Sequence, residues 1–146
     1  MHLAVNGSNN IVTEIPSSSS ASASLDSGIA GGTSKHTIKL KISSGSALFN
    51  VDGKEVTGTS SAPTYSPDTT LTLFTRNYTS EGDYTKSSYA SAIKIFNCSI
   101  KIDNVLVRNF IPCYSKKDST IGMYDLIENK FYINSGTGTF IKGADI

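Results

Sequence analysis

The chain has 146 residues and a formal net charge of +1, its 13 basic and 12 acidic side chains dispersed along the length. That size suits one domain with a single core, and the balanced charge offers neither a basic stripe for nucleic acid nor a polybasic segment for a membrane surface. No apolar run approaches the ~20 residues that span a bilayer, and the opening MHLAVNGSNN lacks the charged and apolar regions of a signal peptide.

Two short strands are predicted first, Leu3–Asn6 and Ile11–Ile15, joined by the hairpin-like Gly7-Ser8-Asn9-Asn10. Pro16 to Ser34 is rich in Ser, Ala and Gly. Such a composition buries little apolar surface, so a surface loop is expected there, touching the body only through Leu25 and Ile29. Removing Ser17 to Ser24 is then expected to cost less than ~1 kcal/mol, because loop entropy varies weakly with length. His36 to Ile42 alternates cleanly, with His36, Ile38, Leu40 and Ile42 on one side and Thr37, Lys39 and Lys41 on the other. Ala47–Val51 and Lys54–Thr57 follow as a hairpin about Asp52-Gly53, a dipeptide that accepts the positive φ of a tight turn.

Gly58 to Asp68 reads as a loop and Leu71–Arg76 as a strand. Asn77 to Ser91 is a polar, tyrosine-rich connection. The stretch that follows, Ile93 to Pro112, reads as a hairpin turning on Asp103-Asn104. In the simplest register Ile102 faces Val105, Ile100 faces Val107, Cys98 faces Asn109 and Phe96 faces Ile111. One face is then almost wholly apolar. The other carries Asn97, Ser99, Lys101 and Arg108 among Ile95, Leu106 and Phe110. Ile121–Asp125 and Lys130–Ile133 complete the predicted strands, and no window has helical periodicity.

In that register Cys98 lies four strand residues short of the position opposite Cys113. That is ~13 Å, beyond disulfide reach, so two free, partly buried thiols are expected. The fold class expected is all-β, over residues 1–146 as one domain: a hairpin apolar on one face needs a second layer, which makes a two-layer antiparallel β-sandwich.

The run IKIFNCSIKIDNVLVRNFIPCY and then IGMYDLIENKFYINSGTGTFIKGADI resembles the laminin-G-like, concanavalin A-like jelly-roll domains of phage tail and gut Firmicutes surface proteins. HTIKLKI and LFNVDGKEV extend the resemblance upstream, so it covers residues 35–146. It implies a jelly roll on a virion or bacterial cell surface. Members of that family carry further strands before the point corresponding to Met1. By that comparison the chain is a fragment or restart product, a compact variant, or a sandwich whose missing strands come from another chain, and self-association or a strand-donating partner is expected.

A carbohydrate site needs aromatic faces with a few placed polar groups. Arg76, Asn77, Tyr78, Asp83, Tyr84 and Tyr89 fit that description best, with Glu81 nearby; tyrosines are equally ordinary in β-sandwich loops. Asp125, Asn134, Gly136 and Gly138 offer several oxygens but one carboxylate, too few for a hard cation. They read, with Asp52, Gly53, Asp103 and Asn104, as turn residues, and no metal or cofactor is expected. Glycosidases need paired carboxylates across the scissile bond. No such strand-borne pair exists, and His2 and His36 accompany no nucleophile pattern. The expectation is a non-enzymatic recognition module for host-surface glycan. The alternative is a structural virion or fibre module that packs chain against chain.

Overall fold

The computed structural model describes residues 2–16, 22–61, 75–76, 89–90, 93–134 and 139–144. Among them every regular element is a β-strand and every pairing is antiparallel. The chain divides into two compact units, Met1–Leu71 and Thr72–Ile146.

Among the described residues the first unit holds six strands. β1 (His2–Val5), β2 (Asn10–Pro16) and β3 (Ser22–Ala30) form one sheet in that order. β4 (Ile38–Ser43), β5 (Ser46–Val51) and β6 (Lys54–Gly58) form a second. Ile11, Ile15 and Leu25 from the first sheet and Ala47, Phe49 and Val51 from the second make one buried cluster. Ala23, Ile29, Leu40, Ile42 and Val56 pack around it. Alternation is what makes this possible, because residues two apart share a face. Phe49, Ile15 and Val51 are fully buried, and each contributes ~1.5–3 kcal/mol by leaving water. Of the inward side expected for the segment from His36, Leu40 and Ile42 are half-buried, whereas Ile38 is exposed.

β3 corrects the expected surface loop at Pro16 to Ser34. Ser22–Ala30 is a nine-residue strand paired along β2, from Pro16↔Ser22 to Asn10↔Ala30. Leu25 is 7% exposed and Ser27 fully buried. Serine is tolerated in that position because its polar atom is satisfied: the Ser27 hydroxyl donates to Ile11 O (2.7 Å) and accepts from Ile29 N–H (3.1 Å). The deletion of Ser17 to Ser24 would therefore remove the start of a paired strand.

Turn chemistry closes this unit. Asn6 Oδ1 accepts from the N–H groups of Ser8 and Asn10, and Asn6 Nδ2 donates to Asp26 Oδ2 at 2.8 Å. Asp52 and Gly53 take φ of 52° and 91°, the signature of a type I′ turn between β5 and β6. The Asp52 carboxylate accepts from Thr37 N–H (2.8 Å) and meets His36 Nδ1 (2.7 Å), fastening the lead into β4 to that turn.

In the second unit β7 (Thr75–Arg76) pairs with β8 (Tyr89–Ala90). β9 (Cys98–Ile102), β10 (Val105–Tyr114), β11 (Ile121–Asp125) and β12 (Lys130–Ile133) form a four-stranded meander in the spatial order β12-β11-β10-β9. Asp103 and Asn104 both have positive φ, 50° and 64°, in the β9–β10 turn. The expected register past that turn is corrected. Val105↔Ile102 and Leu106↔Lys101 hold, but a bulge between Leu106 and Arg108 then pairs Arg108 with Ile100, Asn109 with Ser99 and Phe110 with Cys98. One extra residue moves everything beyond it to the other face. Phe110 and Arg108 thus join Cys98 and Ile100, and Ile111 and Asn109 leave them. Both cysteines are free, Cys98 opposite Phe110 and Cys113 opposite Gly122, and burial pushes the Cys98 thiol's pKa up.

Candidate ligand site

The ten-residue strand β10 ends at Tyr114 and the chain reverses over residues 115–120. Ser115 N–H donates to Thr120 O (2.9 Å) and Ser119 N–H to Ser115 O (2.8 Å). Ser119 accepts a φ of 59°. Asp118 holds the reversal from inside, its Oδ1 accepting from Thr120 N–H at 3.1 Å. The side chain of Ser115, that N–H and the side chain of Thr120 all bond to the carboxyl group, which keeps its pKa below the ordinary value.

This reversal places Ser119, Thr120 and Ile121 beside the end of β12, where Ile133 and Asn134 lie. Thr139 and Phe140 complete a cleft of about 270 Å³ with those five residues. Ile121, Ile133 and Phe140 supply apolar surface. Ser119, Thr120, Asn134 and Thr139 supply hydroxyl and amide groups. None of the seven carries a formal charge. Apolar surface with a few convergent polar groups is the composition of small-molecule sites, and this volume lies just below their usual range of ~300–1,000 Å³, enough for about one sugar ring.

A second constellation occupies the same sheet. Asp125, at the end of β11, is fully buried. Its Oδ1 accepts from Asn109 N–H (3.0 Å) and Ile127 N–H (2.9 Å), and Leu126 N–H donates to Asn109 O (2.9 Å). Arg108 Nε lies 3.5 Å from Asp125 Oδ2, while its terminal nitrogen meets Glu128 Oε1 at 2.5 Å. The Tyr132 hydroxyl donates to the other Glu128 oxygen, and the Tyr132 ring stands edge-on to Phe110 with centroids 5.7 Å apart. Burial pushes the Asp125 pKa up, but the N–H groups of Asn109, Ile127 and Glu128 and the Arg108 charge outweigh it and hold the group ionised below the ordinary range. These contacts occupy the polar groups of the cluster apart from Asp125 Oδ2, which is buried without a hydrogen-bond partner and faces Arg108 Nε. Its work is to lock the β10 bulge to the turn at residues 126–129.

Of the sequence-predicted ligand residues, Arg76 and Tyr89 are register partners on β7 and β8. Asn77, Tyr78, Asp83 and Tyr84 lie outside the described residues, as do Glu81, Gly136 and Gly138. Asn134 borders the cleft. Sequence reasoning missed Ser119, Thr120, Ile121, Ile133, Thr139 and Phe140 as a group, and no spacing signal joins them. Among the described residues no three His, Cys, Asp or Glu side chains are gathered so as to hold a metal ion. Comparisons with protein-family models, with curated proteins and with solved structures return no match.

Proposed function

We propose that this chain is a non-catalytic recognition module that binds carbohydrate at a cell surface, built on a laminin-G-like, concanavalin A-like jelly roll of a phage tail or bacterial surface protein. The observation that carries the reading is the uncharged cleft between the β10–β11 reversal and the end of β12, with its three apolar side chains and four hydroxyl or amide side chains. Sugars present that same mixture, C–H faces edged with hydroxyls. The all-β architecture and the sequence resemblance of residues 35–146 support the same class of protein, though a fold by itself hosts many functions. The test is a glycan array probed with the purified chain and with Phe140→Ala. Reproducible binding weakened by the substitution is expected; a blank array from folded protein would overturn the reading.

One observation favours the structural alternative, in which the module packs chain against chain. Ile102 and Val105, opposed at the tip of the β9–β10 hairpin, are 58% and 64% exposed, and Phe96 is half exposed. Exposed apolar side chains opposed at a hairpin tip offer a surface for association. Sedimentation at micromolar concentration distinguishes the two: concentration-dependent association abolished by Val105→Lys supports packing, and a monomer at all concentrations removes it.

A further inference from the structure

We infer that the free edge of β4 docks, as an added strand, an extended segment of another polypeptide in which apolar residues alternate with acidic ones. This edge belongs to the first unit and is independent of the cleft and of the carbohydrate reading.

In an antiparallel ladder successive residues turn their backbone groups alternately toward the neighbouring strand and away from it. Asp52 N–H donates to Thr37 O at 3.0 Å. By alternation Lys39 and Lys41 also face β5, and the N–H and C=O groups of Ile38, Leu40 and Ile42 face the other way. Among the described residues no strand pairs with that side, since β4 ends the order β4-β5-β6. The side chains of the same three residues lie on the core face. Leu40 and Ile42 pack around the buried cluster, and Ile38 is exposed. β3 packs on β6 and β5, and β2 on β5, which sets β1 on the β4 side of the two sheets. Leu3 and Val5, on the face of β1 shared with Ile11, are about half exposed. The pair of sheets thus carries its apolar lining out to a side where, among the described residues, nothing closes it.

Charge on the outer face of β4 specifies what the incoming strand carries. Lys39 and Lys41 are exposed there, opposite Asn50 and Leu48 of β5. Neither lysine makes an ion pair among the described residues. Nearby carboxylates are engaged elsewhere: Asp26 with Asn6 and Asn10, Asp52 with His36, and Glu55 with Asn50. A strand laid along this edge sets apolar residues beside Ile38, Leu40 and Ile42 and acids beside Lys39 and Lys41, giving each lysine a cross-strand partner. A second copy of this chain does not fit. β4 against β4 opposes lysine to lysine, the arrangement by which edge strands keep copies apart. The other end strands, β1, β3, β6, β9 and β12, have no two acids at alternate positions.

The probe is a dye-labelled synthetic peptide with the core Val-Glu-Val-Asp-Val, titrated with the full chain and followed by fluorescence anisotropy. Its counterpart has the core Val-Lys-Val-Lys-Val. The acidic peptide is expected to bind at least about tenfold more tightly, because two opposite-charge pairs take the place of two like-charge ones. Lys39→Glu/Lys41→Glu, two exposed changes with the fold checked by circular dichroism, is expected to reverse the preference. Methylating one alternate set of peptide nitrogens is expected to abolish binding, and methylating the other set to leave it, as strand pairing requires. Equal affinity for the two peptides, a preference unmoved by the double variant, or equal tolerance of both methylation patterns overturns strand addition at β4. Absence of binding by folded protein overturns it too, and leaves Lys39 and Lys41 as guards against aggregation. A dimer of the chain alone that the acidic peptide dissociates gives the edge to a second copy and likewise overturns the inference.

Discussion

Leu25 lies directly over the α-carbon of Gly58: a β-carbon on residue 58 would come within 2.6 Å of Leu25 Cδ2. The contact joins β3 to β6 and therefore one sheet of the first unit to the other. Leu25 is buried among Ile11, Ile15 and Phe49 and cannot swing away without opening the cluster. Gly58→Ala is accordingly expected to destabilise the chain by ~1–3 kcal/mol, the usual cost of overpacking a filled core. Urea unfolding checks it. The companion Gly58→Ala/Leu25→Ala, with room for the new methyl, is expected to show a smaller effect of the alanine at 58.

That pair also shows where the sequence was legible. Asp52-Gly53 and Asp103-Asn104 were readable as turns because their conformational tolerance is local, and all four residues take positive φ. The strands flanking them follow from alternation. β3 was hidden because its inward positions include Ala23 and Ser27, small residues that composition assigns to linkers. Burial of Ser27 depends on Ile11 O being there to receive its hydroxyl, which is a tertiary fact. The bulge before Arg108 was hidden too, since Val105-Leu106-Val107 is apolar throughout and an extra residue leaves no break in the pattern. The cleft draws on three segments, 119–121, 133–134 and 139–140, each ordinary by itself.

Gly122 is a stricter position than Gly58. A β-carbon there would approach Tyr132 O to 2.3 Å and the Phe131 ring to 2.8 Å. A carbonyl in the β11–β12 ladder has no rotamer by which to yield, so relief requires the two strands to separate. Gly122→Ala is expected to cost at least ~3 kcal/mol, the top of the overpacking range, and to abolish the cooperative thermal transition of the second unit. A variant that melts like wild type would show that β12 is not paired as described.

Acid should weaken the first unit through its turn carboxylates. The His36 side chain first, and then Thr37 N–H, hold the Asp52 pKa below its ordinary 3.8. For Asp26 the Gly28 N–H leads, followed by Asn10. A carboxyl group depressed on folding contributes stability that is present above its ordinary pKa and lost as pH falls through the folded value. Stability is therefore expected to decline from about pH 4 downward. In Asp52→Asn the decline should be shallower, because one proton-linked contribution is gone at every pH. Thermal melts between pH 7 and pH 2.5 on the two proteins decide it, and identical pH profiles would remove Asp52 from the account.

The last expectation concerns Asp125, where one buried carboxylate serves two strands at once. Oδ1 takes the N–H of Asn109, just past the bulge, and of Ile127, in the following turn; Oδ2 has no hydrogen-bond partner and relies on Arg108 Nε at 3.5 Å. Asp125→Asn retains an oxygen for the two N–H groups but loses the charge that faces Arg108. Asp125→Ala loses both, stranding buried donors, the costlier failure because a buried unpaired group forfeits its hydration with nothing in return. Melting temperature should then fall in the order wild type, Asp125→Asn, Asp125→Ala. Removing the cation instead, as Arg108→Met, leaves the N–H groups of Asn109, Ile127 and Glu128, the larger influences that hold the Asp125 pKa down, so acid is still expected to destabilise that variant. Amide hydrogen exchange locates the effect: Asn109 and Ile127 should lose protection in Asp125→Ala while the β9–β10 turn at Asp103-Asn104 keeps its own. Uniform loss across the sheet would mean that Asp125 holds the whole meander, and unchanged exchange at both amides would mean that it holds neither strand.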